Sequence, residues 1–327
     1  MAEGVPLDVD GPAATETRLT PLATPPEAAG GRRRDGGVVL AEQQSAAFSM
    51  AARSISIATV SLAQALVTRR GKPDGAPTVS LRPMGRGSSR DLLAAGEEAL
   101  AAAGFCTGDF TEAVSLFEAA LKRASVEQDR AIVARAHDGL GLVLHYANIT
   151  KLMNGSVLDP ADVDREAELF GTALAIQEEV GDLAGRAQSL FGVGLVAQVL
   201  RSDWAAAMPY FWEALEIADS PDCGCDLYTR SEVHRHVGFY YLVGDVQPTE
   251  AVRHLQISHD LRTKLGDARR IPSGLVALAQ AELAAGNPAR AVDLLREAVS
   301  QAHAAHLMPA RIEDAERELA EAEASLD

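Results

Sequence analysis

Aromatic side chains make up only 5% of this 327-residue chain, and cysteine is scarcer still, with Cys106, Cys223 and Cys225 alone. A core poor in large rings must close through small side chains packed tightly, which favours alanine-rich helices. An odd cysteine count with a Cys-Gly-Cys spacing supports neither a disulfide framework nor a usual zinc knuckle, and it fits a reducing cytoplasm. Lysine is nearly missing: Lys72, Lys122, Lys151 and Lys264 are the only four among 30 basic residues. That skew reads as codon composition and not as arginine chosen for phosphate forks. The chain also lacks a Gly-x-x-x-x-Gly-Lys-Ser/Thr loop and a helix-turn-helix with a basic second helix, so P-loop chemistry and sequence reading of DNA are not expected.

Charge is uneven. The whole chain carries -16; residues 1–90 hold 11 Lys/Arg against 8 Asp/Glu, leaving 19 against 38 for residues 91–327, or +3 and -19. A domain this acidic repels a phosphate backbone, so no direct nucleic-acid binding is expected.

Residues 1 to about 44 mix Pro, Gly, Ala and Thr with scattered charge and cannot bury enough apolar surface to offset ordering entropy. Residues 45–68 are apolar over roughly the length of a membrane span, but Arg53, Gln64 and interspersed hydroxyls argue against insertion. The same hydroxyls weigh against a secretory signal starting at Met50. The segment is expected to be a helix packed on the domain or an unstructured spacer. Residues 69–90 read as a linker, which gives a tail over 1–90 and a folded domain over 91–327.

Within 91–327 a pattern recurs. Large apolar anchors fall at Phe117, Phe170, Phe211, Leu255 and Leu295, separated by 53, 41, 44 and 40 residues. Four of them are followed by a small and then an aliphatic residue, as in Ala120-Leu121 and Ala298-Val299; the fourth repeat has Ser258-His259 instead, so its packing must differ. Arg186, Arg230 and Arg270 each precede an anchor by 25 residues, which fixes a common register. The 53-residue spacing is assigned to a loop inserted over 148–164, with Asp159 capping the helix after it. Helices are expected at 91–104, 110–126, 130–147, 161–180, 183–201, 204–219, 228–243, 249–265, 270–285, 288–305 and 310–325. The last, apolar at Ile312, Ala315, Leu319 and Ala322, reads as a solubilising cap. Pro209 predicts a kink or a late helix start.

The segment Gly108-Asp109-Phe110, with Ala113, Phe117, Ala120 and Leu121, resembles the second half of the tetratricopeptide repeat, and the longer period is similar to that of bacterial sensor and adaptor members. The resemblance covers 91–327. It implies an all-α fold, a right-handed α-solenoid of about five helical hairpins plus a C-terminal capping helix, with ligands bound along the concave face. Counting back from each turn in steps of 3 and 4, the groove candidates are Glu98 in repeat one, Arg135, Asp138 and His145 in repeat two, Ser231, His234 and Tyr241 in repeat four, and Ser273 and Gln280 in repeat five. A two-residue shift in repeat four puts His236 in place of His234.

Nothing in the sequence suggests chemistry. No Ser/His/Asp set lies in a strand-turn-helix context. His234 and His236 point to different sides of a helix, and His303/His306 lack a third ligand, so no metal and no cofactor is expected. The expected function is a non-enzymatic, cytoplasmic adaptor or sensor for a protein or peptide ligand, away from membranes, with self-association left open. The alternative is a regulatory component of a bacterial transcriptional control system acting through a partner chain.

Overall fold

The computed structural model describes residues 87–153 and 156–326. The expected tail and linker up to residue 86, including the candidate helix at 45–68, lie outside the described residues, as do Asn154 and Gly155 of the insertion.

The described residues contain no strand and form an all-α solenoid of consecutive hairpins. The first hairpin is α1 (Ser89–Ala102) with α2 (Thr111–Glu127), and the second is α3 (Arg130–Met153) with α4 (Pro160–Val180). Next come α5 (Leu183–Leu195) with α6 (Trp204–Asp219), and α7 (Leu227–Phe239) with α8 (Pro248–Leu265). The fifth pairs α9 (Ile271–Ala284) with α10 (Pro288–Ala304), and α11 (Pro309–Ala324) closes the stack.

Side-chain caps explain many of the helix starts. Ser88 and Asp91 form a reciprocal capping box on α1, and Asp159, Asp182, Asp203 and Asp226 each accept a first-turn backbone N–H. Each such cap contributes about 0.5–2 kcal/mol. Gly181 and Gly266 end α4 and α8 at φ 72° and 76°, a left-handed conformation that costs glycine nothing. Asp267 does not cap α9, contrary to the symmetry with Asp182. It accepts from the Arg269 backbone and from the Arg269 and Arg270 side chains, so α9 begins only at Ile271.

All five anchors are at or below 1% exposure. Glycine lets them enter. A Cβ on Gly139 would stand 2.4 Å from the Phe117 ring, and one on Gly192 would stand 2.2 Å from Phe170. Each of these rings sits on α2 or α4 and presses on the first helix of the next hairpin, so the same contact that fills the core joins successive repeats. The apolar stretch Leu183–Leu200 is long enough to cross a membrane by composition, and 61% of it is buried in this core.

Three helix ends depart from the α form. Ala103–Thr107, Val196–Leu200 and Tyr240–Gly244 are π-helical turns, at the ends of α1, α5 and α7. The insertion also differs from expectation. In place of a loop over 148–164, α3 runs on to Met153 because Asn148, Ile149 and Thr150 are buried, and Asn148 bonds Glu166 across the hairpin at 2.9 Å. Pro209 lies inside α6 without delaying its start at Trp204.

The solenoid meets itself. Phe105, in the π turn after α1, packs with Ala302 and Leu307 from the far end of the chain. Its carbonyl accepts from the Met308 N–H at 3.0 Å, and the Arg311 guanidinium donates twice to Gly104 O at 2.9 and 2.6 Å. Thus α11 is more than a solubilising cap: it clasps the first hairpin.

Candidate functional site

Where the solenoid meets itself it encloses two adjoining spaces. The wider is a groove of about 730 Å³, bordered by α1, α3 and the turn before α9. Its rim carries both signs of charge. Arg135 pairs with Glu97 at 2.7 Å, and Arg269 holds both oxygens of Glu98 at 2.7 and 3.0 Å as well as Asp267. The Glu98–Arg269 contact bridges positions 171 residues apart and exists only because α9 starts late.

Beneath the groove lies a cavity of about 50 Å³, sharing Leu142, Tyr228 and Arg270 with it. Arginines dominate its wall: Arg235 from α7, Arg262 from α8, Arg270 before α9 and Arg311 from α11. Arg262, 3% exposed, is paired with Glu232 and donates from Nη1 to Arg270 O at 3.1 Å and Ser273 Oγ at 2.8 Å. Arg270 stacks over Tyr228 at 4.2 Å and Phe105 at 5.2 Å, and Arg311 also lies over the Phe105 ring, at 4.5 Å. Cation–π contacts of this kind are worth about 0.5–2 kcal/mol, the upper end when desolvated.

The electrostatics follow from burial. Burial pulls Arg235 and Arg311 down to about 10, with Arg262 adding to the effect at both, so both remain cationic at neutral pH. Burial pushes the Glu232 carboxyl upward, but the guanidinium charges of Arg262, Arg235 and Arg270 outweigh it and hold the group down to about 2. His236 is driven to about 3 by burial first and Arg235 second, and is therefore neutral. Its Nδ1 meets Gln198 Oε1 at 2.7 Å, and Gln198 is placed there by the π turn after α5. Around it, Phe191 lies 5.1 Å and Phe211 5.5 Å away, ring to ring.

No family model and no curated protein sequence matches the chain. Among solved structures, BtubC (BKLC) from P. vanneervenii is similar, at 18% identity over 66% of this chain and 90% of that one, with a TM-score of 0.39. A likeness at that score carries no inference about function.

The ten residues expected along the groove divide. Glu98 and Arg135 line the groove; His145, His236 and Ser273 line the cavity. His145 is held by Glu166 at 2.6 Å. The other five line neither space. Asp138 is buried between α3 and α5, accepts from Ser189 Oγ at 2.9 Å, and has its pKa raised by burial. Ser231 donates to Tyr228 O at 2.8 Å. His234 lies between Asp219 and His254, at 3.0 Å from each, and burial lowers its pKa. Tyr241 stacks on His254 at 5.7 Å, and Gln280 donates to Glu318 on α11 at 3.1 Å.

The end of the π turn explains the repeat-four discrepancy. In the first hairpin Gly108 follows the π turn, whereas in the fourth Gly244 is its last residue and Asp245 follows it, so counting back from Gly244 starts one residue early. Ser231 and His234 were expected, with His236 as the alternative to His234; Glu232 and Arg235, one residue on from the first pair, line the cavity together with His236. Arg235, Arg262 and Arg311 were missed altogether, because arginine was set aside as compositional. The available signal was Ser258-His259, where the usual small-aliphatic pair is absent: Leu255, Ser258 and Arg262 form one buried stripe on α8.

Proposed function

We propose that the protein is a non-enzymatic scaffold or sensor that binds a peptide or protein segment in the groove on its concave face. The observation that carries this reading is the groove itself, about 730 Å³ with Glu97, Glu98, Asp226 and Asp267 set against Arg135 and Arg269. Ligand sites commonly fall between about 300 and 1,000 Å³ and use a few placed polar groups for orientation. Mixed charge at the rim suits a segment with both acidic and basic side chains, whose charges exchange with the Arg135–Glu97 and Arg269–Glu98 pairs. The resemblance to tetratricopeptide repeats supports the same placement. The acidic balance of the domain argues against nucleic acid as the partner. Free thiols at Cys106, Cys223 and Cys225 fit a reducing cytoplasm.

Peptide display against the full-length chain, followed by fluorescence anisotropy of the recovered peptides, tests the reading. Binding should weaken at least about tenfold in Arg135→Ala or Arg269→Ala, the loss expected of a residue carrying interface energy. Failure to select any peptide, or peptides indifferent to both substitutions, would sink it.

A further inference from the structure

Four guanidinium groups reach one small cavity from four places in the chain, and three are engaged by the fold. Arg262 is tied to Glu232, Arg270 holds Asp267 at 3.1 Å, and Arg311 donates to Gly104 O. Arg235 is different. It is only 7% exposed, its Nε is buried without a partner, and it makes no hydrogen bond or ion pair among the described residues. Its one contact of note is the face of Phe239 at 4.7 Å. A buried cation that shares its counter-charge, Glu232, with a second arginine and makes no hydrogen bond to it is an expensive arrangement that folding alone does not favour. The carboxylate nearest in kind, Glu232, is already bonded to Arg262.

Among the residues lining the cavity, four arginines less Glu232 leave +3. The chain around it carries -16. We infer that the cavity is a binding site for one phosphate-class dianion, a tetrahedral oxyanion enclosed by guanidinium groups from α7, α8, the turn before α9, and α11. The residual charge of the wall is opposite in sign to that of the ion. The volume agrees as well: at roughly 10–15 Å³ per water, a 50 Å³ cavity holds about three to five water-sized groups, the bulk of one tetrahedral oxyanion. Donors arriving from several helices suit an oxyanion that accepts in all directions, whereas a planar carboxylate is satisfied by forks in its own plane. The cavity adjoins the groove, with Leu142, Tyr228 and Arg270 between the two spaces. The inference goes beyond the peptide-binding reading, because the ion is either free or the phosphoryl group of a ligand lying in the groove, with the same chemistry at the cavity.

Titration calorimetry of the full-length chain with inorganic phosphate, in low-chloride buffer, should give one site per chain. Chloride at matched ionic strength should give none. Arg235→Met, which keeps an apolar stem over Phe239, should bind phosphate at least tenfold more weakly and yet unfold at a higher temperature in phosphate-free buffer, because the unpaired charge is gone. Undiminished phosphate binding by that variant overturns the inference, as does acetate competing on equal terms with phosphate. Should Arg235→Met fail to fold, arginine Nε–H NMR of the wild-type chain decides, since the Arg235 resonance must move with phosphate. A mixed phosphoserine peptide library and its unphosphorylated counterpart separate the two sources. Phosphopeptides that bind at least tenfold tighter than inorganic phosphate, and lose that gain in Arg269→Ala, assign the phosphoryl group of a groove ligand. Equal binding assigns the free ion. Absence of any response to either form of phosphate refutes the site, and it does so whether or not unphosphorylated peptides bind the groove.

Discussion

The stripe of anchors inside the hairpins and the inner wall near the point of closure are built from the same helices on opposite physical terms. Phe117, Phe170 and Phe211 are fully buried and press on glycines of neighbouring helices, and only Phe211 has a polar ring, His236, beside it. Arg235, Arg262, Glu232 and His236 are also buried, yet their interactions are charge pairs, ring faces and two unmet donors, the Nε groups of Arg235 and Arg262. The first region holds the repeats together. The second spends part of that stability on a polarised interior, which is what a binding site requires.

The difference can be broken most severely at an anchor. Phe170→Ala, which empties the contact between α4 and Gly192 of α5, should destabilise the fold by about 3–5 kcal/mol in urea unfolding, with little dependence on pH. The inner wall should instead respond to acid, by an amount on the order of a few kcal/mol. His236 has a folded-state value of about 3, below the ordinary histidine value, so its contribution is full above pH of about 6.5 and declines as pH falls toward 3. Glu232, held at about 2, contributes above its unfolded value near 4.5 and is lost as pH falls from there toward 2. Thermal midpoints measured from pH 7 downward should therefore fall in two overlapping stages, and His236→Gln should flatten the first.

A smaller effect sharpens the packing side. Gly192→Ala puts a methyl where the Phe170 ring now lies, and about 1–3 kcal/mol of overpacking should appear in the same urea assay. Smallest of all, Glu179→Ala removes the exposed Arg130–Glu179 pair and should change stability by less than about 0.5 kcal/mol.

The anchors, caps and helix limits were legible in the sequence because they repeat. Phe211 and Leu295 announce themselves through the residues three and four positions on, and Asp159 through the proline after it. The extension of α3 was not, since Asn148 looks like a turn former until Glu166 is brought beside it. The cavity wall was least legible. Arg311 meets Gly104 across 207 residues, a contact that no periodicity encodes. In repeat four Gly244 lies inside the π turn and not after it, so a register counted from it falls a single residue short, at Ser231 and His234 where Glu232 and Arg235 stand.

The clasp between Phe105 and Met308 also fixes a number. An open stack of hairpins tolerates the gain or loss of a unit, because each neighbour pair is complete in itself. Here the last helix must arrive where the first hairpin ends, so one hairpin more or fewer would carry α11 past Gly104 or leave it short. The chain counts its repeats: duplication, the usual way such arrays change length, is closed to it unless the clasp is given up.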